Sequence, residues 1–484
     1  MIPYMSRFTL PEDLDGVRIH MVGIKGTGMA ALAELLVDRG VVLTGSDVPD
    51  VFYTDEILKK LGVIPKTPFN AENLPADVQI VIYSAAYKPT TNPELIEAAS
   101  RGIPLLLYTE ALGDFSAHSY SCGIAGVHGK TTTTGMVGTL LKELGLEASA
   151  LAGSVIGSFD DHCTMIKGAK YFIAETCEYQ RHFLSFHPKK ILLTSIESDH
   201  QDFYPTYESI LSAFMQYIDL LPQFGELIYC ADDPGACEAA KMIFSSRPDL
   251  IFTAYGEKAI GDYHLVPKGV KNERLVFSLQ GFSGDFRLRI PGRHNARNAA
   301  GAIALVASLL RNERKSVTIT DMGHIRKALE SYGGSKRRCE IIGEAKGVLF
   351  IDDYGHHPTA VATTLAGLKE FYPGRRLIVD FMSHTYSRTA ALLKEFAGAF
   401  SSADAVVLHK IYPSAREQYD GTVSGKTLFE ATKQRHRNVH YFEEVMDARD
   451  YLAKLLRPGD VFVTMGAGDN WKLGRALFEN RSTT

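Results

Sequence analysis

The chain has 484 residues, 45% of them hydrophobic and 22% charged, values typical of globular proteins, and its length suggests about three domains. Its net charge of -4 and the lack of a basic run give no reason to expect a nucleic-acid partner. The six cysteines are scattered with no Cys-x-x-Cys pair, which argues against both a disulfide framework and a zinc cluster. Residues 1–16 lack the pattern of a signal peptide and no apolar run approaches the ~18 residues of a membrane span, so we expect a cytoplasmic enzyme with no membrane partner.

The first segment alternates short β-branched runs with stretches of helical period. We predict strands at 17–22, 41–44, 78–84 and 103–109 and helices at 29–39 and 92–102. Alternation at this spacing predicts a parallel sheet with helices on its faces.

A turn from Gly23 to Gly28 follows the first predicted strand and opens the first helix. Asp47 lies about 20 residues further on, where an acidic residue binds the ribose in dinucleotide-binding proteins. Lys25 stands where that fingerprint needs a glycine, so NAD or FAD bound in the usual way is disfavoured. Two interpretations stay open: a nucleotide-type ligand held differently, with Lys25 facing a phosphate, or a tight turn without a ligand.

The second segment opens with a predicted strand at 120–125, a glycine-rich turn and a predicted helix at 130–145. Such a turn points backbone N–H groups and the positive end of a helix at an anion. Lys130 suits the β- and γ-phosphates, and the Thr131 hydroxyl suits Mg²⁺. The spacing departs from the usual P-loop, because Ile124 stands where the first glycine is expected. We predict an ATP site; the alternative is a helix start without a ligand.

The later pattern indicates a mixed sheet followed by a further α/β unit. In the second segment we predict core strands at 171–176, 191–196, 227–231 and 250–256, and an antiparallel patch at 274–280 and 285–290. In the third we predict strands at 348–354, 377–382, 405–411 and 461–468, with a helix at 389–400. The fold class is therefore α/β with three domains, at 1–117, 118–333 and 334–484.

Glu175 and His200 each follow an apolar strand, on the edge where doubly wound sheets place their ligands. Thr131 occupies the same edge, and a hydroxyl, a carboxylate and an imidazole converging there would suit Mg²⁺ that also touches ATP. The alternatives are a solvated strand end for Glu175 and an ordinary loop histidine for His200.

The run from Asp352 to Pro358 places two acids and two histidines at a strand exit. Adjacent histidines in extended chain point opposite ways, so joint ligation of one ion is disfavoured. A turn or capping role is the alternative for Asp353. Arg338 lies in a basic run that is either a solvated hinge or a source of positive charge for phosphate on domain closure.

Taken together, these motifs resemble the Mur ligase family over nearly the whole chain. The resemblance rests on residues 23–36, 45–47, 126–134, 175–178, 196–204, 291–299, 352–359, 384–389 and 465–468. It implies a Rossmann-like UDP-sugar domain with a parallel sheet, a central P-loop ATPase with a mixed sheet and a small antiparallel patch, and a C-terminal Rossmann-like ligase domain.

The resemblance also implies site residues. ATP would contact Gly126, His128, Gly129, Lys130, Thr131, Thr132, Asn295, Asn298 and Asp353, and Mg²⁺ would bind Thr131, Glu175 and His200. The substrates would contact Gly23, Lys25, Gly26, Thr27, Gly28, Asp47, Ser84, Ala85, Tyr354 and Arg388. The catalytic residues would be Lys130, Glu175, His200, Arg338, His357 and His384. Either His357 or His384 would take the proton of the attacking amine.

The implied activity is ATP-dependent joining of L-alanine to the carboxylate of UDP-N-acetylmuramate through an acyl phosphate, by a monomer or weak dimer. Thr385 stands where the family members specific for L-alanine carry an arginine, which favours the alternative of a ligase for a preformed murein peptide. The Tyr-x-Arg-Thr run at 386–389 and the run 411–417 favour L-alanine. Residues 175–180 also depart from the usual family pattern. More distant alternatives are a non-catalytic nucleotide switch and a nicotinamide dehydrogenase, the latter disfavoured by Lys25.

Overall fold

The computed structural model describes residues 8–314, 316–413 and 421–483. Its strands form four sheets, of four, seven, three and six strands in chain order. Three of them are mainly parallel and one is antiparallel, which confirms the predicted α/β class. Within the described ranges, no helix is long and apolar enough to cross a membrane.

The first unit is a four-stranded parallel sheet with strand order β2-β1-β3-β4. Its elements are β1 (Arg18–Val22), α1 (Thr27–Asp38), β2 (Val42–Ser46), α2 (Asp55–Lys60), β3 (Ile80–Tyr83), α3 (Pro93–Ser100), β4 (Leu105–Leu107) and α4 (Tyr108–Ala117). The strand order switches between β1 and β3, because β2 is added on one side of β1 and β3 on the other. Ligands of open α/β sheets bind outside the carboxyl ends of the strands at such a topological switch point. The turn at Gly23 lies there.

The second unit contains a seven-stranded sheet of order β11-β10-β9-β5-β8-β6-β7, in which only the edge strand β7 is antiparallel among the described strands. Its elements are β5 (Tyr120–Ala125), α5 (Lys130–Leu144), β6 (Ala148–Ile156), β7 (His162–Ile166), β8 (Tyr171–Glu175), β9 (Lys190–Leu193), α6 (Tyr207–Asp219), β10 (Glu226–Cys230), α7 (Pro234–Ser246) and β11 (Ile251–Tyr255). The antiparallel patch is β12 (Leu265–Val270), β13 (Leu275–Leu279) and β14 (Phe286–Leu288), followed by α8 (Arg293–Arg314) and α9 (Ile319–Ser331).

The third unit is a six-stranded sheet of order β15-β16-β20-β17-β18-β19, parallel except for the β15–β16 pair. Its elements are β15 (Glu340–Ala345), β16 (Val348–Asp353), α10 (Pro358–Phe371), β17 (Leu377–Phe381), α11 (Tyr386–Ala391), α12 (Leu393–Gly398), β18 (Ala405–Leu408), α13 (Gly425–Lys433), β19 (Val439–Tyr441), α14 (Arg449–Leu455), β20 (Val461–Met465) and α15 (Trp471–Thr483). The predicted domain boundaries stay predictions.

The sequence did not predict β6 and β7. The β6 run Ala-Ser-Ala-Leu-Ala-Gly-Ser-Val-Ile holds mostly small residues of low strand propensity. It forms a strand because it pairs with β8 on one side and β7 on the other, and because α1 and α5 pack against it. Tertiary packing decides its conformation.

The buried side chains of α8 form a central part of the hydrophobic core of the second unit, and one substitution tests that role. Ile303 is 0% exposed, so Ile303→Ala should lower the free energy of unfolding by about 2–5 kcal/mol through lost burial and a cavity. The matched control is Ile319→Ala on α9, where Ile319 is 91% exposed and the change should be within about 0.5 kcal/mol. Urea denaturation measures both, and equal effects would contradict the assigned core.

Candidate active site

The phosphate loop joins β5 to α5 through two glycines in left-handed conformations. Gly126 has φ +134° and Gly129 has φ +83°. A Cβ on Gly126 would lie 2.1 Å from Thr194 Oγ1, and one on Gly129 would lie 2.7 Å from Asn298 Oδ1. Only glycine fits either position, and no side chain of the described residues caps α5. Its first N–H groups are therefore open to an anion.

Lys130 is held by a buried acid that the sequence analysis did not assign. Its Nζ donates hydrogen bonds to Glu178 Oε1 and Oε2 at 3.1 and 2.8 Å, and a further short one to the Gly126 carbonyl. Burial opposes ionisation of Glu178, but the charges of Lys130 and His200 outweigh it and hold the pKa of Glu178 below its usual value. The Lys130 ammonium is therefore held between this carboxylate and the phosphate-loop backbone, and its predicted phosphate contact stays a prediction.

One cavity of about 400 Å³ brings most of the predicted nucleotide residues together. Its lining includes His128, Gly129, Lys130, Thr131, Thr132, Glu175, His200, Asn295, Asn298, Arg338, Asp353 and His357. Its size falls in the range of small-molecule sites. The structure therefore brings these residues to a common space, and their individual roles stay predictions.

Thr131 and Glu175 line the cavity and carry the type of oxygen ligand that Mg²⁺ prefers. Thr131 offers a hydroxyl at the start of α5, and Glu175, at the end of β8, accepts a hydrogen bond from the Gly153 N–H at 2.8 Å through Oε2. Mg²⁺ prefers such oxygen ligands over imidazole. His200 Nε2 instead lies 3.3 Å from Glu178 Oε1, so this imidazole fits the ion less well than the two oxygen donors do.

The residues predicted to contact the nucleoside are held by hydrogen bonds within the protein. Asn295 donates to the Pro291 carbonyl at 2.6 Å, and Asn298 donates to Asn295 Oδ1 at 3.2 Å. Asp353 accepts from the backbone N–H of Gly355 at 2.7 Å and of Cys339 at 2.8 Å. This carboxylate thus has the turn role that was the alternative to ribose binding, and its predicted ribose contact stays a prediction.

The two adjacent histidines face different neighbours, as expected for consecutive residues of an extended segment. His357 caps α10 by accepting from the Thr359 N–H at 3.4 Å, whereas His356 lies beside His384, with ring centroids 5.8 Å apart. The Tyr354 ring lies under both Arg337 and Arg338, at 5.1 and 5.3 Å. The turn therefore orients the Arg338 guanidinium at the cavity wall.

A buried ion pair ties the third unit to the second. Arg388 donates from Nε and Nη2 to Asp199 Oδ1 at 3.0 and 2.7 Å, and the two residues are 5% and 4% exposed. Burial opposes ionisation of Asp199, but the Arg388 charge outweighs it and holds the pKa of Asp199 far below its usual value. Sequence reasoning missed Asp199, although the quoted motif 196–204 contains it.

Three family models match successive parts of the chain. They are the Mur ligase family catalytic domain at 18–120, the Mur ligase middle domain at 124–306 and the Mur ligase glutamate ligase domain at 337–468. The chain belongs to the Mur ligase family. The resemblance seen in the sequence is confirmed.

Relatives of known name match over the full length. The UDP-N-acetylmuramate–L-alanine ligase of Treponema pallidum is 57% identical over 98% of both chains, and that of Borreliella burgdorferi is 38% identical over 96% of this chain and 98% of its own. The fold is shared with the UDP-N-acetylmuramate–alanine ligase of Thermotoga maritima, at a TM-score of 0.77 and 24% identity. The match covers 96% of this chain and 99% of that ligase. A murein peptide ligase of Psychrobacter arcticus shares the fold at a TM-score of 0.65 and 23% identity, covering 97% of this chain and 99% of its own.

Lys25, which stands where the dinucleotide fingerprint has a glycine, is central to the first turn of this Mur ligase. Its N–H donates to Asp47 Oδ2 at 2.7 Å, and its Nζ donates to the carbonyls of Val48 and Asp50 at 3.1 and 2.9 Å. The ammonium therefore holds the loop after β2 in the described conformation. Gly23 and Gly26 lie in the turn after β1, Thr27 and Gly28 begin α1, and Ser84 and Ala85 lie in the turn after β3. The substrate contacts of this whole set stay predictions.

The second departure, Thr385, has a structural role. Its Oγ1 accepts a hydrogen bond from the Arg388 N–H at 3.3 Å and caps α11, and it adopts φ +66°. Left-handed backbone is uncommon for a β-branched residue and clusters at functional sites. His384, beside it, lies 3.4 Å from Arg388 Nη1 through its Nδ1. Residues 414–417 of the run that favoured L-alanine lie outside the described residues.

Breaking the Asp199–Arg388 pair should destabilise the protein. Arg388→Met leaves a buried unpaired carboxylate and should cost about 3–5 kcal/mol, whereas the double variant with Asp199→Asn should cost less than the sum of the single variants. Because the pKa of Asp199 is lowered on folding, this stabilisation is present above about pH 4 and is lost as the pH falls below it.

Urea denaturation of the four proteins measures this coupling. The matched control is Lys268→Met, which breaks a half-exposed pair with Asp285 at 2.5 Å and should change stability by about 1 kcal/mol or less. Additive effects of the two substitutions at 199 and 388 would contradict a direct pair.

Proposed function

We propose that this Mur ligase joins L-alanine to the carboxylate of UDP-N-acetylmuramate, with hydrolysis of ATP to ADP and phosphate, in the synthesis of peptidoglycan precursors. The observation that carries the proposal is the 57% identity over 98% of both chains to a ligase of that name. We place the reaction in the cytoplasm and expect a monomer or weak dimer. A murein peptide ligase is the less favoured candidate, because its support is a shared fold at 23% identity and the replacement of an arginine by Thr385.

The chemistry has two steps. An oxygen of the sugar carboxylate attacks the γ-phosphorus of ATP, the bond to ADP breaks, and an acyl phosphate forms. The neutral amine of L-alanine then attacks the acyl carbon; a C–N bond forms, phosphate leaves and the amine loses a proton. A carboxylate alone is a poor electrophile, so the first step makes the second possible.

The chain contributes positioning and charge to the first step. Lys130 leaves Glu178 and binds the transferred phosphate, while the open N–H groups at the start of α5 bind the adjacent phosphates of ATP. Thr131 and Glu175, together with His200, would hold Mg²⁺, which would supply positive charge to neutralise the phosphates. Arg338 adds positive charge from the third unit, and Asn295, Asn298 and Asp353 hold the nucleoside.

The second step involves the interface between the second and third units. His384 and Arg388 lie together there, and Arg388 is fixed by Asp199. We assign Arg388 to the carboxylate of L-alanine and His384 to the departing proton, with His357 as the alternative base. Closure of the third unit over the cavity keeps water from the acyl phosphate.

Lys130 tests the phosphate-binding part of the scheme. Lys130→Ala should lower kcat by about 100-fold or more, since one electrostatic contact to the reacting group is lost. The matched control is Lys142→Ala on the same helix, whose ammonium pairs with exposed Asp160 at 2.9 Å and should leave kcat unchanged. Release of phosphate measures both, and a near-normal rate of Lys130→Ala would contradict the scheme.

A panel of acceptors tests the proposed substrate. With UDP-N-acetylmuramate and ATP present, L-alanine should stimulate phosphate release more than glycine, L-serine or a murein tripeptide. A stronger response to the tripeptide would replace the L-alanine assignment by the peptide ligase. ATP turnover without any response to an acceptor would favour a nucleotide switch.

A further inference from the structure

One cluster in the cavity lies outside the residues assigned to magnesium. It consists of His128 in the phosphate loop, Glu197 in the loop after β9 and His357 at the start of α10. One nitrogen of each imidazole and one carboxylate oxygen lie within 4.8 Å of one another. Residues from two units and three strand ends therefore present three ligand atoms to a common point. We call these residues the His-Glu-His cluster.

The contacts within the cluster centre on the Glu197 carboxylate. His128 Nε2 forms a short hydrogen bond to Glu197 Oε1, and His357 Nδ1 lies 3.6 Å from the same oxygen. The two imidazole rings have centroids 5.0 Å apart. Thr359 Oγ1 donates to the other oxygen, Glu197 Oε2, at 3.3 Å. Such a second bond orients a carboxylate ligand.

A separate observation shows an unused group at the cluster. His357 is 5% exposed, and its Nε2 has no hydrogen-bond partner in the ranges 8–314, 316–413 and 421–483. A buried polar atom without a partner is costly, and a bound water or ion would satisfy it. His357 lines the same cavity as His128 and Glu197.

The ligand chemistry separates this cluster from the magnesium residues. Two imidazoles and one carboxylate are the protein ligands of many zinc sites with an open fourth position. Imidazole suits Zn²⁺ and its neighbours, whereas Mg²⁺ takes oxygen ligands such as Thr131 and Glu175. Ligand atoms around tetrahedral zinc are about 3.4 Å apart, so side-chain movements of about 1 Å bring the cluster to that spacing.

We propose that the His-Glu-His cluster is a binding site for a zinc-type transition-metal ion. The ion takes one nitrogen from His128, one from His357 and a carboxylate oxygen from Glu197, and leaves its remaining position to water from the cavity. Since His357 belongs to the third unit and the other two ligands to the second, the bound ion links the phosphate loop to α10. Binding requires neither nucleotide nor UDP-sugar and is measurable on the free protein.

The test is calorimetric titration of chelator-treated protein with ZnCl₂. The wild type should bind one equivalent of zinc. The zinc affinity should fall by about tenfold or more in each of three variants, His128→Asn, Glu197→Gln and His357→Asn. Asparagine at 357 keeps an acceptor for the cap of α10. The matched controls are Glu175→Gln and His200→Asn, which remove the residues assigned to magnesium and should bind zinc as the wild type does.

A spectroscopic measurement on the wild type gives the same answer without relying on a folded variant. X-ray absorption at the zinc edge should show two imidazole nitrogens and light-atom ligands. One imidazole, or a sulfur from the exposed Cys177, would overturn the proposal. Three calorimetric results would also overturn the proposal. They are no zinc binding by the wild type, unchanged zinc binding by all three folded cluster variants, and loss of zinc binding in His200→Asn.

Discussion

The carboxyl ends of parallel strands from two separate sheets face one cavity, and the rest of the site depends on that arrangement. Strands β5, β8 and β9 supply the phosphate loop, Glu175 and the loop with Glu197 and His200. Strand β16 supplies Asp353 and the turn before α10 from the third unit. Because parallel strands end at one edge, residues far apart in sequence meet there. The cavity is thus formed where the strand ends of the second unit face those of the third unit.

The two basic residues central to the proposed chemistry are each paired with a buried acid. Lys130 pairs with Glu178 and Arg388 with Asp199. Such pairs are expensive to break and fix the geometry of the charge. In the proposed chemistry a substrate phosphate takes the place of Glu178 on Lys130, because it offers the same oxygen ligands, whereas Asp199 keeps Arg388 in position. In this account the acids hold the cations in position until the substrates arrive.

The cavity is lined by more carboxylates than lysine and arginine side chains, an arrangement that favours cations. Glu175, Glu178, Glu197, Asp199 and Asp353 all line it. Oxygen-rich positions near Thr131 suit magnesium, while the imidazoles around Glu197 suit a softer ion. The two kinds of site differ in ligand chemistry although they share one space.

The sequence predicted the features that depend on local chemistry. Glycines 126 and 129, Lys130 and Thr131 occupy a strand-turn-helix whose geometry follows from their residue types, and the parallel strands were predicted from apolar runs. Partners were harder to predict, since Asp199 and Arg388 are 189 residues apart and Lys130 and Glu178 are 48 apart. The strand β6 was missed because its small residues take their conformation from neighbours. Only the folded chain brings these groups together.

The most direct test of the central claim follows an oxygen atom. UDP-N-acetylmuramate with ¹⁸O in its carboxylate, incubated with ATP, L-alanine and the protein, should transfer one ¹⁸O atom to the released phosphate in each turnover. The transfer follows because the activated carboxylate oxygen leaves with the phosphorus when the amide forms. Amide formation with no ¹⁸O in the phosphate would contradict activation of the carboxylate by phosphoryl transfer.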